Sequence, residues 1–175
     1  FIFPAAPSPI LDLLPNPGPT SPITVVLSMT SVHLINLETS SLASTFPADL
    51  EATAACWSVK GKQVAIGTRH GFIAQYTPEG EKKAEIAPPS ELEGQWEVRS
   101  LNWLENTVWL ATYAKPLDRS QPPAHEYEVY IITKTGDALE YTKFYDPTPS
   151  YGLDTREGRR WIVRFKGWCA PFRAW

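Results

Sequence analysis

Residues 52–86 read ATAACWSVKGKQVAIGTRHGFIAQYTPEGEKKAEI, and the punctuation of this stretch decides the fold. Residues 52–58 predict one strand, stopped by Lys60-Gly61-Lys62, and residues 63–68 predict a second. His70-Gly71 reads as a tight turn, because Gly71 can take a positive φ with no Cβ to clash. Residues 72–77 give a third strand, and Pro78-Glu79-Gly80 turns the chain again. Residues 82–86 then form a charged fourth strand, and charge on an outer strand blunts an exposed sheet edge. Four antiparallel strands in a meander make one blade-sized sheet.

The same grammar recurs on either side of this stretch. Residues 96–104 predict a first strand carrying Trp103 near its end, as Trp57 sits near the end of the earlier one. Residues 107–112 match 63–68 at a shift of 44. A proline-bearing insertion over 115–126 precedes a third strand at 128–133, and Thr135-Gly136-Asp137 turns into a fourth at 139–144. Upstream, 23–29, 31–37 and 42–46 read as the last three strands of an earlier unit; downstream, 160–168 reads as the first strand of a later one. A period near 44 residues with four strands per unit is a β-propeller signature, although the Trp-Asp and Gly-His pairs of WD40 repeats are missing. The expected class is all-β: a propeller fragment of about three blades of four-stranded antiparallel sheet. The blade parts fall at 23–47, 52–87, 96–145 and 160–168, behind a Pro-rich lead-in over 1–22. That lead-in holds seven prolines and is expected to be extended, with at most a short strand at Phe1-Ile2-Phe3.

Composition narrows the function. The chain has 175 residues, 43% hydrophobic and 20% charged, which suits about one domain with a core. Seventeen prolines argue against a helical bundle. A formal charge of −3 offers no global attraction to phosphate backbones, so direct nucleic-acid binding is not expected. No apolar run is long enough for a membrane span, and no basic region precedes an apolar one at the start, so an intracellular, soluble protein is expected. Cys56 and Cys169 read as reduced thiols.

Candidate chemistry is sparse. His33, His70 and His125 lie in separate contexts and none pairs with Cys or His at metal-ligand spacing, so neither a metal nor a cofactor is expected. No nucleophile elbow, phosphate loop or zincin motif occurs, and catalysis is not expected. Arg156, Arg159, Arg160, Arg164 and Lys166 interleave with Trp161, Phe165 and Trp168; the alternation favours a half-exposed strand over a stacking surface for single strands. Glu91-Leu92-Glu93 lies between a fourth strand and the next first strand, behind Pro88-Pro89. Such connections share one rim of a propeller, and two carboxylates around a leucine suit a basic protein partner.

Leu13-Leu14-Pro15-Asn16-Pro17-Gly18, the run Cys56-Trp57-Ser58-Val59-Lys60-Gly61-Lys62-Gln63-Val64-Ala65-Ile66-Gly67, Tyr76-Thr77-Pro78, Leu101-Asn102-Trp103-Leu104 and Tyr151-Gly152 together resemble one family. It is the N-terminal β-propeller of the cytoplasmic-face FG nucleoporin that recruits the DEAD-box mRNA-export helicase. The resemblance is fungal in flavour and spans roughly residues 10–168. It implies a seven-bladed, non-catalytic docking platform at the cytoplasmic face of the nuclear pore complex, with a DEAD-box RNA helicase as partner. It implies also that acidic interblade loops meet a basic surface of that helicase, overlapping its RNA site. Glu91, Leu92 and Glu93 match one such loop, and Asp154, within 146–159, matches a second. No Phe-Gly dipeptide and no heptad tract occurs, so contacts of the family with other nucleoporins belong to regions absent here. Two other readings stand beside this one: a generic WD40-like scaffold for peptides or proteins, and a propeller hydrolase, for which no catalytic constellation is visible.

Overall fold

The computed structural model describes residues 8–46, 48–116, 125–144, 160–165 and 168–173. Three four-stranded antiparallel sheets follow one another, each with its strands side by side in sequence order. The first contains β1 (Ile10–Pro15), β2 (Ile23–Ser28), β3 (Val32–Asn36) and β4 (Ser41–Thr45). A 3-10 turn, Ala48–Leu50, leads into the second, made of β5 (Ala52–Trp57), β6 (Val64–Thr68), β7 (Ile73–Tyr76) and β8 (Lys82–Ile86). The third contains β9 (Glu97–Glu105), β10 (Val108–Pro116), β11 (His125–Thr135) and β12 (Ala138–Lys143). These sheets belong to one unit ending at Phe144. In a second unit, Tyr145–Trp175, β13 (Arg160–Phe165) pairs antiparallel with β14 (Trp168–Arg173).

The three-sheet meander agrees with the sequence expectation of consecutive blades, and three details differ. The lead-in over 1–22 is not loop throughout: β1 pairs with β2 from Ile10↔Ser28 to Pro15↔Thr24 and completes a four-stranded first sheet. β1 is the edge strand of that sheet, where proline at the strand end costs no ladder bond on the open side. The strand expected over 160–168 is a hairpin, with Phe165 opposite Trp168. The β10–β11 hairpin also runs further than expected, to Pro116↔His125, so part of the presumed insertion is strand. The short strand expected at Phe1-Ile2-Phe3 lies outside the described residues.

Period-two alternation places the core. Along β5, Ala54 and Cys56 face the third sheet while Trp57 faces the first; along β6, Ala65 faces the third while Val64 and Ile66 face the first. The middle sheet is therefore apolar on both faces. One core joins it to Val25, Leu27, Val32, Leu34 and Phe46; the other joins it to Val98, Leu101, Trp109, Tyr113, Tyr130 and Ile132. Phe46 meets Tyr76 edge-on at 4.6 Å between ring centroids. Each fully buried Val, Leu or Ile contributes about 1.5–3 kcal/mol relative to exposure, and burying both faces of one sheet is what stacks the three. Gly67 permits the closest approach: a Cβ there would overlap the Val98 side chain of β9.

Hydrogen bonds between sheets fix their order. The Trp57 indole N–H donates to the Leu14 carbonyl at 2.8 Å, and the Thr53 hydroxyl donates to the Val98 carbonyl at 2.6 Å. Because the first strands run parallel from sheet to sheet, the connections sort into two rims. The turns after β1, β3, β5 and β7 occupy one, where Asn16 reaches Gly61. The connections after β2, β4, β6 and β8 occupy the other, where the Arg69 amide donates to the Glu51 carbonyl at 2.9 Å.

Candidate protein-docking rim

The connection from β8 to β9, residues 87–96, belongs to the second rim. Pro88 and Pro89 restrict its entry, and the Leu92 amide donates to the Pro89 carbonyl at 3.1 Å, closing a turn. That turn sends the Leu92 side chain inward, half-buried against the core between the second and third sheets, while Glu91 and Glu93 are exposed. The leucine is thus the seat of the loop and the two carboxylates are its outward face.

Four side chains from the third sheet and the loop's own end hold this arrangement. Trp96, buried, donates its indole N–H to the Glu93 carbonyl at 3.0 Å. Lys115, near the end of β10, donates from Nζ to the same carbonyl at 3.2 Å and stands 5.7 Å from the centroid of the Trp96 ring. The Tyr141 hydroxyl donates to the Ala87 carbonyl at 2.8 Å, pinning the other end. The Tyr130 hydroxyl hydrogen-bonds Glu91; its pKa is raised first by burial and then by the Glu91 charge. Lys143 pairs with Glu128 at 2.7 Å beside this group, and that hydrogen bond raises the lysine pKa. Among the described residues, no ion pair takes up the Glu93 carboxylate.

The neighbouring β6–β7 turn shares this rim. Gly71 has φ +82°, and its backbone lies against Pro88 and the Trp96 carbonyl. His70 pairs with Glu51 at 2.9 Å, both exposed. The rim therefore combines fixed backbone with exposed carboxylates, a surface able to meet a cationic protein face through charge pairs and hydrogen bonds.

The structure brings Glu91, Leu92 and Glu93 into one fixed loop. Asp154 lies outside the described residues, and so do the side chains of the cluster from Arg156 to Trp168. His33 hydrogen-bonds Ser31 and Thr45 at 2.8 and 3.1 Å, within the first sheet and far along the chain from the loop. The His125 side chain is not among those described. Cys56 is buried, its thiol pushed up to about 12 by desolvation. Among the described residues, no three His, Cys, Asp or Glu side chains group as metal ligands. Sequence reasoning missed Lys115, Trp96, Tyr130 and Tyr141 as partners of the loop, because they meet it from 3 to 54 residues away with no fixed spacing.

A family model described as the NUP159/214 beta propeller matches residues 2–173. Nucleoporin nup146 of Schizosaccharomyces pombe is 32% identical over 170 residues, covering 94% of this chain and 12% of that protein. Nucleoporin NUP159 of Chaetomium thermophilum is 34% identical over 154 residues, covering 82% of this chain and 10% of that protein. The chain thus spans only about a tenth of the length of these relatives. A chain in a solved S. cerevisiae assembly of Dbp5 bound to Nup159, with Gle1, IP6 and ADP, superposes with a TM-score of 0.65 at 20% identity. That match covers 91% of this chain and 43% of the other, and shows the shared fold.

Proposed function

Because this chain belongs to the NUP159/214 β-propeller family, whose matched relatives are nucleoporins and not enzymes, we propose that it docks a DEAD-box RNA helicase at the cytoplasmic face of the nuclear pore complex. The observation that carries the reading is the loop over 87–96: two exposed carboxylates on a backbone fastened to the third sheet. The solved assembly of Dbp5 with Nup159 supports the choice of partner.

The mechanism is charge-complementary docking. Glu91 and Glu93 meet a basic face of the helicase, Leu92 seats the loop, and Asp154 supplies a contact from a later connection. RNA is gripped by basic surface too, so an acidic rim covering that surface competes with RNA without any bond being made or broken. Rim charges act chiefly on encounter rate and salt dependence.

The test is helicase binding by the full chain, wild type against the double variant Glu91→Lys, Glu93→Lys. The expected result is an affinity lowered by about ten- to a hundredfold with a flatter salt dependence. Reversal of Glu79 and Glu81, on the opposite rim, is expected to leave binding intact. Equal affinity and equal salt slope for the first pair would remove those residues from the interface.

A further inference from the structure

The Glu93 carbonyl receives two donors, the Trp96 indole N–H at 3.0 Å and the Lys115 ammonium at 3.2 Å, which occupy both of its lone pairs. The lysine stem runs along Gly94, in van der Waals range of where a Cβ would stand, and the ammonium faces the Trp96 ring. Lys115 therefore directs its charge at a backbone oxygen and an aromatic face, and no ion pair among the described residues joins it to a carboxylate of the loop. A lysine beside two exposed glutamates would ordinarily weaken their attraction for a cationic partner. Here it is turned to a different use.

We propose that Lys115, with Trp96, is a positioning residue of the docking rim: it clamps residues 92–94 so that the Glu93 carboxylate is presented in one orientation to a basic protein surface. This rests on the docking function proposed above. Preorganising a loop removes the cost of ordering it on association, so the clamp acts on affinity without touching the partner. Two effects of the lysine then oppose each other. Its charge repels a basic partner, whereas its clamp favours binding, and the sign of the change on removing both tells which dominates.

Lys115→Met separates them, because it keeps the stem, removes the charge and removes the donor. Pure charge accounting predicts tighter helicase binding for this variant. The clamp predicts that hydrogen exchange of the Leu92 amide, which the turn bonds to the Pro89 carbonyl, speeds up by about three- to tenfold, with helicase affinity falling by a similar factor and the thermal midpoint little changed. Lys115→Arg, which restores a cationic donor over the ring, is expected to recover both. The exchange measurement uses the full chain alone and decides whether the clamp exists even if the wild type proves not to bind the helicase, a result that would remove the docking function itself. Unchanged exchange in Lys115→Met overturns the proposal. So does faster exchange accompanied by equal or tighter binding, since the loop would then be fixed to no purpose in docking.

Discussion

The Asn16 side-chain amide donates to the Gly61 carbonyl at 2.8 Å, joining two turns that are 45 residues apart and belong to different sheets. The same side chain accepts from the Gly18 amide at 2.7 Å, so one asparagine shapes its own turn and grips the next. Trp57 completes the contact by donating to Leu14. Two of the sequence runs that carry the family resemblance, around Leu14-Pro15-Asn16 and Cys56-Trp57-Ser58, are therefore two halves of one joint between the first and second sheets.

Asn16→Ala is expected to lower stability by about 1–2 kcal/mol, because two hydrogen bonds are lost at a site water reaches in part. Gly61→Ala is expected to cost more: Gly61 has φ +68°, and a new Cβ would overlap Asn16. The double variant relieves that overlap, so its cost falls short of the sum of the singles. Urea denaturation of the four proteins measures this.

Gly67→Ala drives a methyl group into Val98 and is expected to cost about 1–3 kcal/mol by overpacking the second and third sheets. Adding Val98→Ala returns the space and is expected to recover part of the loss. A thermal melt of the single and double variants reads the outcome.

The Cys56 thiol has its pKa raised by burial from 9.0 to about 12. Between those values the folded chain keeps a proton that the unfolded chain releases, so stability falls as pH rises from about 9 towards 12 and is unaffected below. The Tyr113 hydroxyl, raised by burial as well, acts in the same direction at higher pH. Comparing wild type with Cys56→Ala across that window isolates the cysteine: the variant is less stable at pH 7, and its stability declines less steeply. A thiol-alkylating reagent at pH 8, read at Cys56 by peptide mapping, is expected to label that residue slowly in the native protein and fast in the unfolded one.

Much of this architecture is legible from period-two alternation and turn chemistry. The middle sheet was readable because Lys60-Gly61-Lys62, His70-Gly71 and Pro78-Glu79-Gly80 mark its ends, and all four of its strands fall within the expected ranges. β1 was hidden because proline counts against strand locally, while an edge strand needs its donors on one side only. The return strand β14, which begins at Trp168 where the single strand expected over 160–168 ends, was missed as well. At the rim, the exposure of Glu91 and Glu93 was legible from charge and position. The clamp was not, because Lys115 and Tyr141 reach the loop through the pairing of β9 with β10 and β11 with β12, which no local spacing encodes.

Hydrogen exchange on the full chain, with and without saturating helicase, reads out whether the rim bearing residues 91–93 is the docking face. Docking on this rim slows exchange at residues 91–95 and 69–72 and leaves 58–63 and 77–81 unchanged. Slowing confined to 58–63 and 77–81 would place the partner on the opposite rim and contradict it.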